Sequence, residues 1–232
     1  YYDELSNDQK LQLVNELKHI DWKNLDKTFK EEILLQLDHG NSKLKPVSKI
    51  ADHLMEDITQ PMRWGTTLCG SEALEAYELV GLQKIKDGKV AALVLAGGQG
   101  TRLGFDYPKG MYDVGLPENK SLFQLQAERI LQLRNYDNSC GFNSRIIWYV
   151  MTSEATSKHT RDFFEQKNFF GLSKDEVVLF EQGSMPCLNF EGKVLLDEKF
   201  KISRSPDGNG GLYEALHRNG IIDHMESNGV EY

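Results

Sequence analysis

Basic residues are scarcer than acidic ones in this chain of 232 residues, with 27 lysines and arginines against 35 aspartates and glutamates, so the formal net charge is −8. A protein whose main partner is a nucleic-acid backbone needs a basic surface, and this balance argues against a nucleic-acid partner. It does not argue against a nucleotide ligand, because a few local cations and backbone amides bind phosphate whatever the net charge.

Long apolar segments are also missing. No apolar run approaches the roughly 18 residues of a membrane-spanning helix, and the N-terminus is acidic and polar, so we expect no membrane partner and see no signal peptide. The three cysteines, Cys69, Cys140 and Cys187, are widely spaced and form no C-x-x-C pair. Such cysteines are typical of reduced thiols, and we expect a cytoplasmic protein.

The six histidines are scattered and show no metal-ligand spacing, so the sequence predicts no metal site built from them. His217 and His224 lie seven residues apart, where they could share one face of a helix. We interpret both as exposed surface residues.

The first part of the chain has the rhythm of helices. Ser6 followed by Gln9 is the pattern of a capping box at a helix start, and apolar residues then recur with helical spacing as far as His39. A further helix is predicted from Ser71 toward Lys86. We therefore predict a helical N-terminal region over residues 1–86.

From about residue 87 short apolar strands alternate with helices. Strands are predicted at 90–95, 145–151 and 177–181, and helices at 121–134, after Ser153 and at 211–219. A short hairpin is predicted at 190–193, with 194–196 as its second arm. Alternating strands and helices predict a parallel sheet with right-handed crossovers and ligands at the carboxyl ends of its strands. The sequence thus predicts an α/β nucleotide-binding region over residues 87–232.

The most informative segment is the apolar run 90–95 with four glycines after it, at positions 97, 98, 100 and 104. The run predicts a buried parallel strand, and the glycines leave a backbone that a ligand can approach closely. Arg102 and Lys109 add positive charge beside it, as a polyphosphate requires. Because the glycine spacing fits neither the dinucleotide fingerprint nor the P-loop, a plain tight turn stays open on this loop alone.

Longer motifs carry a family resemblance. They are L-A-G-G-Q-G-T-R-L-G at 95–104, Y-P-K-G at 107–110, S-L-F-Q-L-Q-A-E at 121–128, E-Q-G at 181–183 and S-P-D-G-N-G-G-L-Y at 205–213. Together they resemble the nucleotide-sugar pyrophosphorylases, and among these the eukaryotic UDP-N-acetylhexosamine pyrophosphorylases. The resemblance runs along the whole chain and implies a Rossmann-like nucleotidyltransferase fold with a mostly parallel, here incomplete, sheet.

The resemblance also implies roles for individual residues. Arg102 and Lys109 would be the catalytic cations that hold phosphate, with Lys109 acting in the transition state. The residues implied to bind the nucleotide are Leu95, Ala96, Gly97, Gly98, Gly100, Thr101, Gln182, Gly208, Asn209 and Gly210. Judged without the resemblance, Arg102, Lys109 and Gln182 are also compatible with solvated surface residues, and 208–210 with an ordinary left-handed turn before a helix.

The implied reaction forms UDP-N-acetylglucosamine and pyrophosphate from UTP and N-acetylglucosamine 1-phosphate, by in-line attack on the α-phosphate and with Mg²⁺. Two alternatives stay open: a UDP-sugar pyrophosphorylase for glucose or galactose 1-phosphate, and a non-catalytic nucleotide-binding fragment. Members of the family are longer, and this chain stops at Tyr232, before the strand that carries their metal-binding aspartate. We therefore assign no metal ligand to this chain and expect it to be inactive alone.

Overall fold

The computed structural model describes residues 2–39, 69–135 and 145–232. The helices are α1 (Asn7–Lys18), α2 (Trp22–His39), α3 (Cys69–Lys86), α4 (Leu122–Asn135), α5 (Glu154–Gln166), α6 (Gly211–Arg218) and α7 (Ile221–Ser227). The strands are β1 (Ala91–Leu95), β2 (Ile147–Thr152), β3 (Val177–Glu181), β4 (Ser184–Pro186), β5 (Leu196–Glu198), β6 (Lys201–Ile202) and β7 (Arg204–Pro206). No helix of these described ranges is long and apolar enough to cross a membrane.

By packing, the chain divides into two compact units, one of residues 1–56 with 184–205 and one of residues 57–183 with 206–232. The contacts of segment 184–205 therefore place it in the same unit as the first helices, although it lies far from them in sequence. The boundary near residue 86 is a division by sequence pattern and stays a prediction.

The first unit combines α1 and α2 with the short strands β4 to β7. The predicted capping box is confirmed: Gln9 N–H donates to Ser6 Oγ at 3.3 Å, and Ser6 N–H donates to Gln9 Oε1 at 3.0 Å. Ile20, Leu25 and Ile202 form a small core in this unit. Because these contacts join distant parts of the sequence, no local pattern predicted them.

The predicted hairpin is only partly correct. Its turn is present, since Asn189 N–H donates to Lys193 O at 2.9 Å and Leu188 bridges to Val194. Leu196, however, pairs with Ile202 across β5 and β6 instead of extending the second arm. The apolar run 194–196 indicates an extended segment, but it cannot show which strand pairs with Leu196.

The second unit is built on a three-stranded parallel sheet in the order β1-β2-β3. Every residue of β2 is buried, as expected for a central parallel strand. The aromatic cluster of Phe123, Trp148 and Phe164 covers one face of the sheet, beneath α4 and α5. The opposite face packs Tyr149 against residues of α6 and α7. The predicted parallel sheet with interleaved helices is confirmed.

Strand β1 is less buried than its sequence predicts. It lies at the edge of the sheet, and Leu93 and Leu95 are 37% and 44% exposed, while Ala92 and Val94 pack against the core. On the face that carries Leu93 and Leu95, the hydrophobic cluster around Tyr149 includes only Ala91 of β1. An apolar run identifies a strand, but it does not reveal whether both of its faces are covered.

The interpretation of the two late histidines is only partly correct, because His217 is exposed but His224 is half-buried, and the two do not share a helix. Gly220 adopts a left-handed conformation with φ 64° between α6 and α7, so His217 and His224 lie on different helices. His224 is also engaged in the interior, because its Nδ1 lies 2.9 Å from the hydroxyl of the buried Tyr149. Glycine in this conformation is a common helix end.

Candidate functional site

The segments that leave β1, β2 and β3 lie together at the carboxyl edge of the sheet. Ala96 N–H donates to Met151 O at 2.7 Å, and Gln182 N–H donates to Thr152 O at 2.8 Å. Both bonds continue the parallel pairing one residue beyond the strands. Ala96, which follows Leu95 at the end of β1, and Gln182, which follows β3, are therefore fixed beside the same central strand.

Gln182 lies directly against the first glycine of the loop. A Cβ added to Gly97 would stand 2.7 Å from Gln182 Nε2 and 3.0 Å from its Oε1. A side chain at this position would displace the end of the Gln182 side chain, so Gly97 permits the close approach and does not serve a positive φ. The structure thus brings together two segments that the sequence analysis connected only through the family resemblance.

The glycine loop folds back on itself to place Lys109. Gly100 N–H donates to Tyr107 O at 2.9 Å, Lys109 N–H donates to Gly98 O at 3.1 Å, and Gln99 bridges to Pro108 in antiparallel fashion. Pro108 is fully buried. The backbone of Lys109 therefore lies beside that of Gly98, although eleven positions separate them in the sequence.

Arg102 occupies the tip of the same loop. It lies in a 3₁₀ turn over Thr101–Leu103 that ends at Gly104, whose φ of 67° favours glycine. The side chains of Arg102 and Lys109 are both exposed, and neither has a hydrogen-bond or ion-pair partner within the described ranges. Both cations are therefore available to an anionic ligand.

Lys109 is also anchored from below. The 3₁₀ turn Lys109–Met111 packs on α4, and the Phe123 ring occupies the space that a Cβ of Gly110 would need. Phe123 itself is 1% exposed, at the centre of the aromatic cluster. The buried Phe123 ring thus fixes the position of the turn that carries Lys109.

The second predicted loop, 208–210, lies beside the end of β3. Gly208 is left-handed with φ 78°, and Gly210 is the N-cap of α6. Asp207 N–H donates to Gly183 O at 3.3 Å, which closes the chain after the 184–205 segment. Gly208, Asn209 and Gly210 are exposed, and a Cβ on either glycine would meet open space.

Asp207, directly before this loop, makes close contacts with two glycine-containing segments. Its carboxylate lies in the spaces where a Cβ of Gly183 and a Cβ of Gly211 would stand. Arg218 Nη1 lies 3.3 Å from the same Gly183 position. Asp207 therefore packs between the segment after β3 and the start of α6, a contact that no spacing in the sequence indicates.

Ser153 is a second residue whose part in the site was not predicted. The sequence indicates it only as the N-cap of a helix, and it does stand at that position before α5. Its hydroxyl also donates to Gly97 O at 2.8 Å, out of the helix and into the glycine loop. A polar residue directly after a central strand was the one available signal.

The expected Mg²⁺ finds no protein-built site in the ranges that the structure covers. Residues 2–39, 69–135 and 145–232 contain no group of three or more histidine, cysteine, aspartate or glutamate side chains placed to hold a metal ion. Cys187 is a free thiol, half-buried.

At the carboxyl edge of this parallel sheet lie a glycine loop and two cations that have no side-chain partner within the described ranges. This edge is where α/β proteins as a class bind their ligands. The family model for UTP--glucose-1-phosphate uridylyltransferase matches residues 48–232. The chain belongs to this family, as the resemblance predicted.

Individual relatives agree with this assignment. The chain is 41% identical over 239 residues to a "Probable UDP-N-acetylglucosamine pyrophosphorylase" of Dictyostelium discoideum, covering 100% of this chain and 46% of the relative. The crystal structure of the uridine diphosphate N-acetylglucosamine pyrophosphorylase from Trypanosoma brucei matches with a TM-score of 0.80 and 29% identity, over 99% of this chain and 46% of that one.

A putative UDP-N-acetylglucosamine pyrophosphorylase from Entamoeba histolytica matches with a TM-score of 0.65 and 36% identity, over 75% of this chain and 42% of that one. The predicted nucleotidyltransferase fold is confirmed. The chain spans about half the length of the curated relatives that it matches.

Proposed function

We propose that the protein, at its natural length, is a uridylyltransferase that forms UDP-N-acetylglucosamine and pyrophosphate from UTP and N-acetylglucosamine 1-phosphate. The observation that carries this proposal is the contact of the Gln182 carboxamide with Gly97, beside a loop whose two cations have no side-chain partner among the described residues. The names of the relatives support N-acetylglucosamine as the sugar. The cytoplasmic location stays a prediction.

Base recognition is assigned to Gln182 and the bare backbones around it. A carboxamide offers both a donor and an acceptor, which suits the O4 and N3 edge of uracil. Gly98 leaves open space for the base beside the end of β1, and the exposed loop 208–210 supplies further backbone groups. Fixed groups of this kind select a base by leaving the wrong one unpaired.

Phosphate binding and catalysis are assigned to the glycine loop. The Arg102 guanidinium suits two oxygens of one phosphate, while Lys109 suits the charge that develops at the α-phosphate. The sugar 1-phosphate attacks that phosphorus directly, an oxygen–phosphorus bond forms, and pyrophosphate leaves with its electron pair. Such transfer depends on positioning and electrostatics, so no protein nucleophile is needed.

A second candidate is supported by the family model, whose description names glucose 1-phosphate as the sugar substrate. The two candidates share the base and phosphate chemistry and differ only in the sugar. Mg²⁺ stays part of either proposal as an expectation, and no step above depends on it. A panel of N-acetylglucosamine, glucose and galactose 1-phosphates, assayed with UTP for pyrophosphate release, separates the candidates.

The test of base recognition compares UTP with CTP at the natural length of the protein. Because the CTP amine reverses the donor pattern, we expect the wild type to bind UTP at least about 5-fold more tightly, the effect of one unpaired buried group. Gln182→Ala should reduce this preference, and Gln166→Ala, an exposed glutamine at the end of α5, should not. Equal affinity of the wild type for UTP and CTP contradicts the proposal.

A further inference from the structure

Three consecutive residues at the end of β2 bond to both segments of the candidate base site, which are the glycine loop after β1 and Gln182 after β3. Met151 O accepts from Ala96 N–H at 2.7 Å, and Thr152 O accepts from Gln182 N–H at 2.8 Å. These two bonds are backbone pairings that any sequence could make. The third is different, because it needs a hydroxyl: Ser153 Oγ donates to Gly97 O at 2.8 Å.

We infer that Ser153 is a positioning residue for base recognition, which acts through Gly97 and does not touch the nucleotide. The inference rests on the proposed function, because it concerns how the uracil site keeps its shape. Nothing in the glycine loop itself fixes the direction of the Gly97 carbonyl. The Ser153 hydroxyl does so from the neighbouring strand.

The hydrogen bond between Ser153 and Gly97 has a single possible direction, whereas the Thr156 hydroxyl can donate either to Ser153 Oγ or to Ser153 O, at 3.4 Å. Since Gly97 O can only accept, Ser153 Oγ must donate to it. Ser153 Oγ can then accept from Thr156 Oγ1, at 3.0 Å, and Thr156 Oγ1 accepts from Ser153 N–H, also at 3.0 Å. Ser153 is 6% exposed and Thr156 is fully buried, so water does not readily replace either bond.

The position of Gln182 explains why a rotation at Gly97 would reach the base. The carboxamide nitrogen lies 2.7 Å from the place of a Gly97 Cβ, so little slack remains between the two residues. If the Gly97 carbonyl turns, the peptide that links it to Gly98 turns as well. The direction of the Gly98 N–H and the position of the Gln182 carboxamide then both change. Lys109 is tied instead to Gly98 O and to the Phe123 core, so its phosphate role should be less affected.

The test uses Ser153→Ala in the protein at its natural length, with UTP, CTP and N-acetylglucosamine 1-phosphate. We expect the KM for UTP to rise about 10-fold and the preference for UTP over CTP to fall, the effect of one lost buried hydrogen bond. The KM for the sugar phosphate and kcat should stay within about 3-fold of wild type. Ser153→Thr keeps the hydroxyl and should restore both the KM and the preference.

A matched control comes from the same helix. Thr160 is buried on α5, and its hydroxyl has no hydrogen-bond partner within the described residues. Thr160→Val should therefore leave the KM for UTP unchanged. If Ser153→Ala does not fold, Ser153→Cys replaces it, since the thiol is a weaker donor of similar size.

The outcomes separate the two levels of the argument. A wild type that prefers UTP, with a Ser153→Ala variant that is less stable but keeps that preference, shows that Ser153 only caps a helix and overturns the inference. A wild type without a preference for UTP overturns the proposed function, and the inference with it.

Discussion

At the scale of single residues, the site depends on glycines whose missing side chains are replaced by another residue. Gln182 fills the place beside Gly97, Asp207 fills the places beside Gly183 and Gly211, and the Phe123 ring fills that of Gly110. A glycine of this kind is required by its neighbour and not by its own φ. Substituting it should therefore move a defined partner.

Gly97→Ala tests this at the base site. The added methyl must displace the Gln182 carboxamide, so we expect UTP affinity to fall at least about 10-fold. Because the displaced atoms are the end of a flexible side chain outside the core, the free energy of unfolding should fall by less than about 1 kcal/mol. Gly81→Ala is the matched control, because a Cβ there meets nothing within 4 Å and the residue lies in α3. It should leave UTP affinity unchanged and stabilise the helix by about 0.5–1 kcal/mol. Calorimetric titration with UTP and urea denaturation measure both effects, and unchanged UTP affinity in Gly97→Ala contradicts the account.

Tyr149 provides a pH-dependent test of the core. Burial raises the pKa of Tyr149 above its ordinary value of 10.0, and nearby Arg145 lowers that pKa by a smaller amount. Because the folded-state pKa is the higher one, the contribution of this residue to stability is complete below pH 10 and is lost as pH rises through the folded-state pKa. In urea denaturation from pH 8 to about 11, the wild type should therefore lose stability more steeply than Tyr149→Phe.

The control for this prediction is Tyr213→Phe, at a tyrosine that is 75% exposed. That variant should follow the wild-type pH dependence. Parallel curves for the wild type and Tyr149→Phe would show that the buried phenol does not bear on stability in this range.

At the scale of elements, local patterns predicted what local physics determines. Ser6 caps α1, Ser121 caps α4 with Gln124 N–H at 3.2 Å from its Oγ, and β3 lies where the apolar run predicted it. The placement of the first glycine loop after a parallel strand followed from the alternation of strands and helices. The loop 208–210 instead follows β7, which pairs with β4 in a separate two-stranded sheet.

Contacts between distant residues were not predicted. The pairing of Leu196 with Ile202, the exposed face of β1, and the bond from Ser153 to Gly97 all depend on what lies opposite a residue in space. A periodic pattern records which face of an element is apolar, but it contains no partner for that face. The roles of Arg102 and Lys109 as phosphate ligands stay predictions, supported by the lack of side-chain partners for either in the part of the chain that the structure describes.

The anchoring of the turn Lys109–Met111 on α4 can be tested as one element. Gly110→Ala forces a methyl against the buried Phe123 ring, so the free energy of unfolding should fall by about 1–3 kcal/mol and kcat should fall with it, because Lys109 is displaced. Gly81→Ala again serves as the control, and thermal melting with a steady-state assay measures the two effects. A stable Gly110→Ala variant with wild-type kcat would show that the turn is not held by the core.

At the scale of the whole molecule, the outer edge of the sheet, at β1, is only partly paired within the described ranges. Tyr232 N–H donates to Lys89 O at 3.1 Å, and Tyr232 O accepts from Ala91 N–H at 2.9 Å, the spacing of a parallel pair on the outer side of β1. Along the rest of β1 the outer edge meets no strand within the described ranges. Open edges and exposed apolar faces lower stability and favour association.

We therefore expect the 232-residue chain to differ from the protein at its natural length. The short chain should bind UTP weakly, melt at a lower temperature, and release no detectable pyrophosphate with N-acetylglucosamine 1-phosphate. Side-by-side melting curves and a pyrophosphate-release assay test this expectation. Equal activity of the two proteins would show that these residues alone contain the whole catalytic site.

The most direct measurement of the central claim is the turnover of Lys109→Ala at natural length, assayed by pyrophosphate release from UTP and N-acetylglucosamine 1-phosphate. A cation that stabilises the transition state contributes more to kcat than to binding. We predict that kcat falls about 100-fold or more, the effect of losing one preorganised electrostatic group, while Lys174→Ala, at an exposed lysine before β3, changes nothing. A Lys109→Ala variant whose kcat stays within a few-fold of wild type would contradict the account.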